Sequence, residues 1–319
     1  MDKIDAAPYS IAKTEESRTA QPILNGVHNR SNTSNSEVVT VSKKRVDSDR
    51  YEIKSGIAVV INNIEFEEHL RLPDRKGSDI DASSLFQRFQ ELGFDSDLIN
   101  DASLDDIKQK FNEIKDDEAT LDRTDCLIVA LLTHGNEECI YATDQEIKIS
   151  TIMDMFNAQN CPQLALKPKI FFFQACRGHD LGGGVNAKVI RDPNQSDASS
   201  DSTEYDKKYG ETIRIPNEAD FLAVYSTSLG YGSFRNTEKG SPFVRHLSEE
   251  LLKMQPNEDF YKVLTRVNKR VGTGYKPNIN NPKVVTQMPC FISHLTKDLI
   301  LRPGKKDDAE TERKLQLSH

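Results

Sequence analysis

The residues of this chain best suited to chemistry are Cys176 and His134. Cys176 closes the run Lys169-Ile170-Phe171-Phe172-Phe173-Gln174-Ala175-Cys176, which is bounded by Pro168 and Gly178. A short apolar run between such breakers has the character of a fully buried strand. The cysteine therefore stands at the strand's C-terminal end, the edge at which open α/β sheets bind ligands. His134 lies 42 residues earlier, in Leu131-Leu132-Thr133-His134-Gly135, and it too follows an apolar run, Cys126 to Leu132. A thiol is only a few per cent thiolate at neutral pH and gains from a neighbouring imidazole. Nucleophilic attack by the cysteine, provided the histidine reaches it, is the chemistry this pair would perform. Taken singly, each residue has a plainer reading: a buried core cysteine, and a histidine with its hydrogen bonds satisfied at a strand end.

Composition narrows the function classes. The chain has 319 residues, enough for one large domain or two small ones, and 29% of them are charged. A net charge of −8 with no long basic block argues against nucleic acid as a partner. The longest wholly apolar stretches are about seven residues, far short of the ~20 needed to span a bilayer, so no membrane partner is expected. The opening Met1-Asp2-Lys3-Ile4-Asp5 lacks the plan of a secretory signal. The five cysteines, at 126, 139, 161, 176 and 290, show no close pairing. Both features fit reduced thiols and a cytoplasmic location. No Cys-x-x-Cys or His-x-x-x-His spacing occurs, so neither a metal nor a cofactor is expected.

The elements that must position these residues follow in order. Residues 1 to about 50 are polar and lack a helical or alternating period, which predicts a disordered arm. Gly56 to Ile61 is a strand. Ala82, Leu85, Phe89 and Leu92 repeat at helical spacing over 78–92, and Gly93 supplies the stop. A second helix starts near Ser103, whose Ser103-x-x-Asp106 resembles a capping box. Asp125 to Thr133 and Lys169 to Gln174 are buried strands, with a hairpin over 138–148 and a helix over 150–158 between them. Alternating strands and helices predict a parallel sheet covered on both faces. Residues 179–212 break the pattern with Gly182-Gly183-Gly184 and then four aspartates, Asp192, Asp197, Asp201 and Asp206, in a linker-like stretch. Structure resumes with a strand over 219–226. A helix opens at Ser241-Pro242, another carries Phe260, Leu264, Val267 and Val271, and a last strand lies near Met288 to Ile292.

Five motifs, in this order, carry a resemblance to the caspase family: Arg75-Lys76-Gly77-Ser78-Asp79, Thr133-His134-Gly135, Gln174-Ala175-Cys176-Arg177-Gly178, Tyr225-Ser226-Thr227 and Ser233-Phe234-Arg235-Asn236. The match covers roughly 56–302. With its short N-terminal arm the chain looks like an effector rather than an initiator member. The resemblance implies a three-layer α/β fold with a mostly parallel six-stranded sheet. It divides the chain into a prodomain (1–50), a large subunit (51–197), a cleavable linker (198–212), a small subunit (213–302) and a polar tail (303–319). Cys176 is implied as the nucleophile and His134 as the acid for the leaving amine, oriented by the Pro73 carbonyl. Gly135 would offer its N–H, with that of Cys176, to the oxyanion.

Arg75, Gln174 and Arg235 would line the primary pocket, where two planar guanidinium forks suit the carboxylate of an aspartate. Ser233 would add a contact there, and Asn236 would meet a more distal side chain. Each arginine alone would read more plainly as half of a surface salt bridge. Gly232 and Phe234 stand where effector members often carry bulkier aromatics, so the usual tetrapeptide preference is not carried over. The chain would be an aspartate-specific cysteine endopeptidase made as a zymogen. It would act on protein substrates in apoptosis-type proteolysis as a homodimer of large–small pairs. Upstream initiator caspases and inhibitor proteins would be further partners. Asp47, Asp197, Asp201 and Asp206 would be processing sites; Asp192 precedes proline, which should block cutting. The alternative from another class is a catalytically silent homologue acting as a dimerisation decoy.

Overall fold

Four strands read from sequence as uninterrupted apolar runs are buried on both sides. The computed structural model describes residues 2–4, 43–178, 215–274 and 286–301. The predicted linker with its glycine cluster, and the tail beyond Leu301, lie outside them. Ten strands are described: β1 (Asp2–Ile4), β2 (Gly56–Asn62), β3 (Phe94–Asn100), β4 (Cys126–Leu132), β5 (Cys139–Tyr141), β6 (Glu146–Lys148), β7 (Lys169–Gln174), β8 (Phe221–Tyr225), β9 (Phe234–Asn236) and β10 (Cys290–Ser293). The α-helices are α1 (Lys43–Asp47), α2 (Ser78–Glu91), α3 (Leu104–Asp116), α4 (Glu118–Arg123), α5 (Ile149–Asp154), α6 (Pro242–Lys253) and α7 (Phe260–Gly274).

The central sheet has six strands in the order β10-β8-β7-β4-β2-β3. All of its neighbours run parallel except β10, which pairs antiparallel to β8. Alternate residues of each strand enter opposite cores. Ala58, Val60, Ile128, Ala130, Ile170, Phe172, Leu222 and Val224 pack with α2, α6 and α7. Val59, Ile61, Val129, Leu131, Phe171, Phe173, Ala223 and Tyr225 pack with α3, α4 and α5. This two-sided burial explains why the strands read as continuous apolar runs.

Local signals set the helix starts. Ser103 and Asp106 complete a reciprocal capping box on α3. The Ser241 side chain accepts from the Val244 N–H at the start of α6, with Pro242 in its first turn. Asp81 on α2 reaches across and accepts the Ser241 N–H with both carboxylate oxygens, at 2.8 and 3.0 Å. The helix predicted over 150–158 is shorter, ending at Asp154.

Five elements depart from the sequence reading: β1, α1, β3, α4 and β9 were not foreseen. The β3 run Phe-Asp-Ser-Asp-Leu-Ile-Asn is polar because an edge strand is covered only in part. The arm over 1–50, expected to lack regular structure, contains β1 and α1. β1 borrows its order from β9, to which it pairs antiparallel. α1 is docked by the Arg45–Asp125 ion pair and by a hydrogen bond from Lys297 Nζ to the Arg45 carbonyl. A period-based reading cannot see order that comes from contacts so distant in sequence.

Lys169, at the start of β7, carries a testable electrostatic cost. Its ammonium is buried, donates to the Leu164 and Lys167 carbonyls, and lies 4.9 Å above the Phe221 ring. Burial pushes it down from 10.5 to about 8, with Asp220 opposing the shift. Below pH 8 both folded and unfolded chains are protonated and the cost is fully present. Between about 8 and 10.5 only the unfolded chain keeps the proton, so stability rises with pH. Relative to Lys169→Met, the wild type should therefore gain about 3 kcal/mol across that window. Denaturant unfolding of the pair at both ends of the window checks this; a flat difference would refute it.

Candidate active site

Three parallel strands end together and deliver the polar residues. Leu132 of β4 is paired with Asn62 of β2 and with Gln174 of β7. Beyond the strands the ladder continues, the Asn63 amide donating to the Leu132 carbonyl and the Thr133 amide to the Gln174 carbonyl. His134 and Cys176 follow at the same edge, each 1% exposed. Gly135 is pressed against Cys176: a Cβ there would lie 2.9 Å from the Cys176 carbonyl oxygen and 3.0 Å from Ala175 Cβ. Only glycine allows this approach.

His134 Nε2 lies 2.8 Å from the Pro73 carbonyl oxygen, the contact the resemblance implied. A carbonyl only accepts, so Nε2 carries the proton, and Nδ1 is the nitrogen that gains and loses one. Phe66 covers the ring, with centroids 4.9 Å apart. Cys176 Sγ accepts the Ser233 N–H at 3.0 Å. The other four thiols, on Cys126, Cys139, Cys161 and Cys290, are pushed above the ordinary range by burial. None of the five cysteines forms a disulfide.

The two arginines named from sequence converge on one loop. Arg75 is fully buried, and its Nη1 donates to the Asn63 carbonyl at 3.0 Å and to Ser78 Oγ at 2.7 Å. Ser78 in turn donates to Asn62 Oδ1 at 2.6 Å. Arg235 on β9 is 1% exposed and donates through Nη1 to the Lys76 carbonyl. The close fit of the two segments requires Gly77, whose φ is +87°. A Cβ there would meet the Thr237 carbonyl oxygen at 2.7 Å. Gln174 joins the cluster by donating from Nε2 to Ser233 Oγ at 2.9 Å. Ser233 thus contacts Gln174 through its side chain and Cys176 through its amide.

Arg75, His134, Gly135, Gln174, Cys176, Ser233 and Arg235 are therefore gathered at one sheet edge, and Asn236 lies next to Arg235. Asn236 Oδ1 accepts the Glu238 and Lys239 amides, which folds the turn that leads to Gly240. Asp47 is elsewhere. It ends α1, which is docked to Asp125 at the opposite end of β4 from His134. Asp197, Asp201 and Asp206 lie outside the described residues.

Several supporting residues were not singled out from sequence. Gln287 accepts the Phe234 amide at 2.9 Å and donates to the Ser226 carbonyl at 2.7 Å, bracing both sides of the loop that carries Ser233. Arg177 stacks on Tyr225, 3.9 Å from the ring centroid, and exchanges backbone hydrogen bonds with Gly230 and Tyr231. Asn62, Asn63 and Ser78 aim Arg75. The Asn62-Asn63 pair directly after an apolar strand was a readable signal, since buried amides there need partners.

A cysteine and a histidine at adjacent strand ends, with two buried arginines beside them, define a thiol-hydrolase type of site on a doubly covered parallel sheet. Comparison with known proteins gives the family. The family model described as the caspase domain matches residues 55–300. Caspase-7 of Gallus gallus is 37% identical over 252 residues, covering 77% of each chain. Caspase-3 of Oryctolagus cuniculus is 33% identical over 277 residues, covering 83% of this chain and 94% of that one. The crystal structure of Caspase-1 from Spodoptera frugiperda superposes with a TM-score of 0.69 at 31% identity, covering 81% of this chain and 97% of that one. The chain belongs to the caspase family of cysteine proteases. No helix among the described residues is long and apolar enough to cross a membrane.

Proposed function

We propose that this chain is an effector-type caspase, a cytoplasmic endopeptidase that cuts proteins after aspartate. The observation that carries the reading is the convergence of buried Arg75 and Arg235 on the loop beside Cys176. Two planar guanidinium forks at the edge that carries Cys176 suit a short side-chain carboxylate next to the scissile bond. The Cys176 thiolate attacks the aspartyl carbonyl carbon to give a tetrahedral oxyanion, which the Gly135 and Cys176 amides stabilise. His134, protonated on Nδ1 while Nε2 holds the Pro73 carbonyl, gives that proton to the leaving amine. Water then adds to the thioester and releases the new carboxylate and the thiol. Arg75, Gln174, Ser233 and Arg235 hold the aspartate, and Asn236 faces the residues before it.

The zymogen reading is supported by sequence. Asp197-Ala198 and Asp201-Ser202 place aspartate before a small residue, and Asp206 lies in the same linker. Cutting there leaves Cys176 and His134 on one subunit and Arg235 on the other, so one pocket needs both. Asp47-Ser48 is a further site that requires α1 to unwind, because a protease takes extended chain. The edge strand β10 suits antiparallel pairing with a second copy, with Ile292 on it and Met288 just before it each about half exposed.

Peptides ending in Asp, Glu or Lys, given to the linker-cut enzyme and to its Cys176→Ala variant, test the reading. Turnover confined to Asp and lost in the variant is expected. A dimeric, linker-cut wild type without turnover would favour the decoy, and cutting after Lys would overturn the pocket.

A further inference from the structure

The chain that leaves α1 lines a cavity of about 160 Å³, together with Lys297 and Asp125. Four cations share its wall, Arg45, Arg50, Lys54 and Lys297, and so does Ser48. Backbone hydrogen bonds fix the segment there. The Tyr51 amide donates to the Asp298 carbonyl at 3.0 Å, and the Asp298 amide to the Asp49 carbonyl at 2.9 Å. Lys297 donates from Nζ to the Arg45 and Val46 carbonyls. Ser48 is half-buried. Its Oγ donates to the Arg50 carbonyl at 2.7 Å and accepts the Arg50 amide at 3.3 Å, a turn that keeps hydroxyl and guanidinium on one wall. The opposing charges are Asp125 and Glu52 in the lining, and Asp47 and Asp49 on either side of Ser48. Asp125 already accepts the Arg45 guanidinium with Oδ1 and the Lys54 amide with Oδ2, both at 3.0 Å. A phosphate, with three acceptor oxygens, suits several cations that share one cavity with a hydroxyl. The sequence adds a second observation: Arg45 stands three residues ahead of Ser48, after Lys43 and Lys44. Kinases select substrates by such charge patterns, and this is a basophilic one.

We propose that Ser48 is a phosphorylation site whose phosphate docks in this cavity and protects the Asp47–Ser48 bond from cleavage. The protection rests on the aspartate-directed processing proposed above and adds its control. α1 has five residues, too few to hold a helix without its docking contacts. The segment therefore opens and closes, and a kinase and a protease both take it in the open, extended form. ATP gives its γ-phosphoryl group to Ser48 Oγ, the hydroxyl proton passes to the kinase's base, and ADP leaves. The hydrogen bond to the Arg50 carbonyl is lost with that proton. In its place the phosphate makes charge-assisted contacts to cations that only the closed form gathers, so the closed form gains population. Fewer open chains then offer Asp47 to a protease, and a dianion on the residue after the scissile bond adds to the effect. The plainer reading is that the cations only neutralise Asp47, Asp49, Glu52 and Asp125. It gives no reason for the spacing of Arg45 and Ser48, and it leaves no attraction for a phosphate.

The full chain carrying Cys176→Ala, which cannot cut itself, tests this in three steps. A basophilic kinase with ATP should place phosphate on Ser48, located by peptide mapping; phosphate on other residues only would overturn the modification. Phosphoserine installed at position 48 during translation then serves as the probe. By phosphorus NMR its second ionisation should fall about one pH unit below that of the same chain unfolded in urea. Arg50→Gln together with Lys54→Gln, two exposed side chains, should remove most of that difference. An ionisation that is unchanged or raised on folding would overturn the docking. Last, a trace of linker-cut wild type should release residues 1–47 from the phosphorylated chain about tenfold more slowly than from the unmodified one, the worth of one charge-assisted hydrogen bond. The linker aspartates of both chains should be cut alike, and Arg50→Gln with Lys54→Gln should restore part of the rate. Equal release from both chains would overturn the protection. So would a wild type that turns over Asp peptides yet never cuts after Asp47. A wild type without any turnover would overturn the protease reading instead, and the NMR result would still decide the phosphate site.

Discussion

Replacing Cys176 with alanine is expected to lower kcat on an Asp-terminated peptide by a factor on the order of 10⁵ or more, the scale seen when a hydrolase loses its nucleophile. The physical reason is local. No other described thiol combines a strand-end position at the functional edge with an amide donor; Ser233 N–H aims at Cys176 Sγ from 3.0 Å. Cys126, Cys139, Cys161 and Cys290 have thiols held protonated by burial and cannot substitute. The fold should survive, because removing one sulfur at the end of β7 disturbs neither core. The check is paired: thermal unfolding close to that of a linker-cut wild type, and single-turnover kinetics showing no acyl-enzyme. An alanine variant that kept even a tenth of the activity would mean that another group attacks.

The second large effect belongs to Arg235. Arg235→Ala should reduce kcat/KM for aspartate peptides by roughly 10²–10⁴, the cost of leaving a buried charge without its partner. Arg235→Lys should recover little of it. Lysine keeps the charge, but it loses the planar fork that can hold the Lys76 carbonyl and, on the proposed reading, a carboxylate at once. Selectivity is the sharper readout, because weaker binding alone could reflect damage to β9. The ratio of Asp to Asn peptide turnover should collapse in Arg235→Ala, whereas a purely structural arginine would leave it unchanged. Arg75 should behave alike, with a larger loss of stability. Its removal also strips a donor from the Asn63 carbonyl and Ser78 Oγ in a fully buried place.

Much of the scaffold was legible in the chain. β2, β4, β7 and β8 announced themselves as short apolar runs because each is buried on both faces. α2, α3, α6 and α7 were marked by apolar spacing, and Ser103 and Ser241 by capping chemistry. β3 stayed hidden because a partly covered edge strand may carry polar residues at little cost to packing, and alternation over Phe94–Asn100 is broken. The candidate site residues were legible for a related reason. Strand ends need no particular side chain for packing, so Gln174, Cys176, His134 and Gly135 stand out where breakers alone would serve.

Residue types and their order along the chain were thus enough to name Cys176, His134, Arg75 and Arg235, and to say that parallel strands would bring the first two to one edge. Only the tertiary structure decided which atoms meet. It brought the Pro73 carbonyl to His134 Nε2, set Arg235 on the backbone of the loop that carries Arg75, and gave Gln287 its place behind Phe234. It also seated Asp2–Ile4 on β9, more than 200 residues away. Periodicity and capping act within one element, over a few residues. Hydrogen bonds between distant backbone groups carry no mark in either partner's sequence, because every residue offers the same carbonyl and nearly every one the same amide.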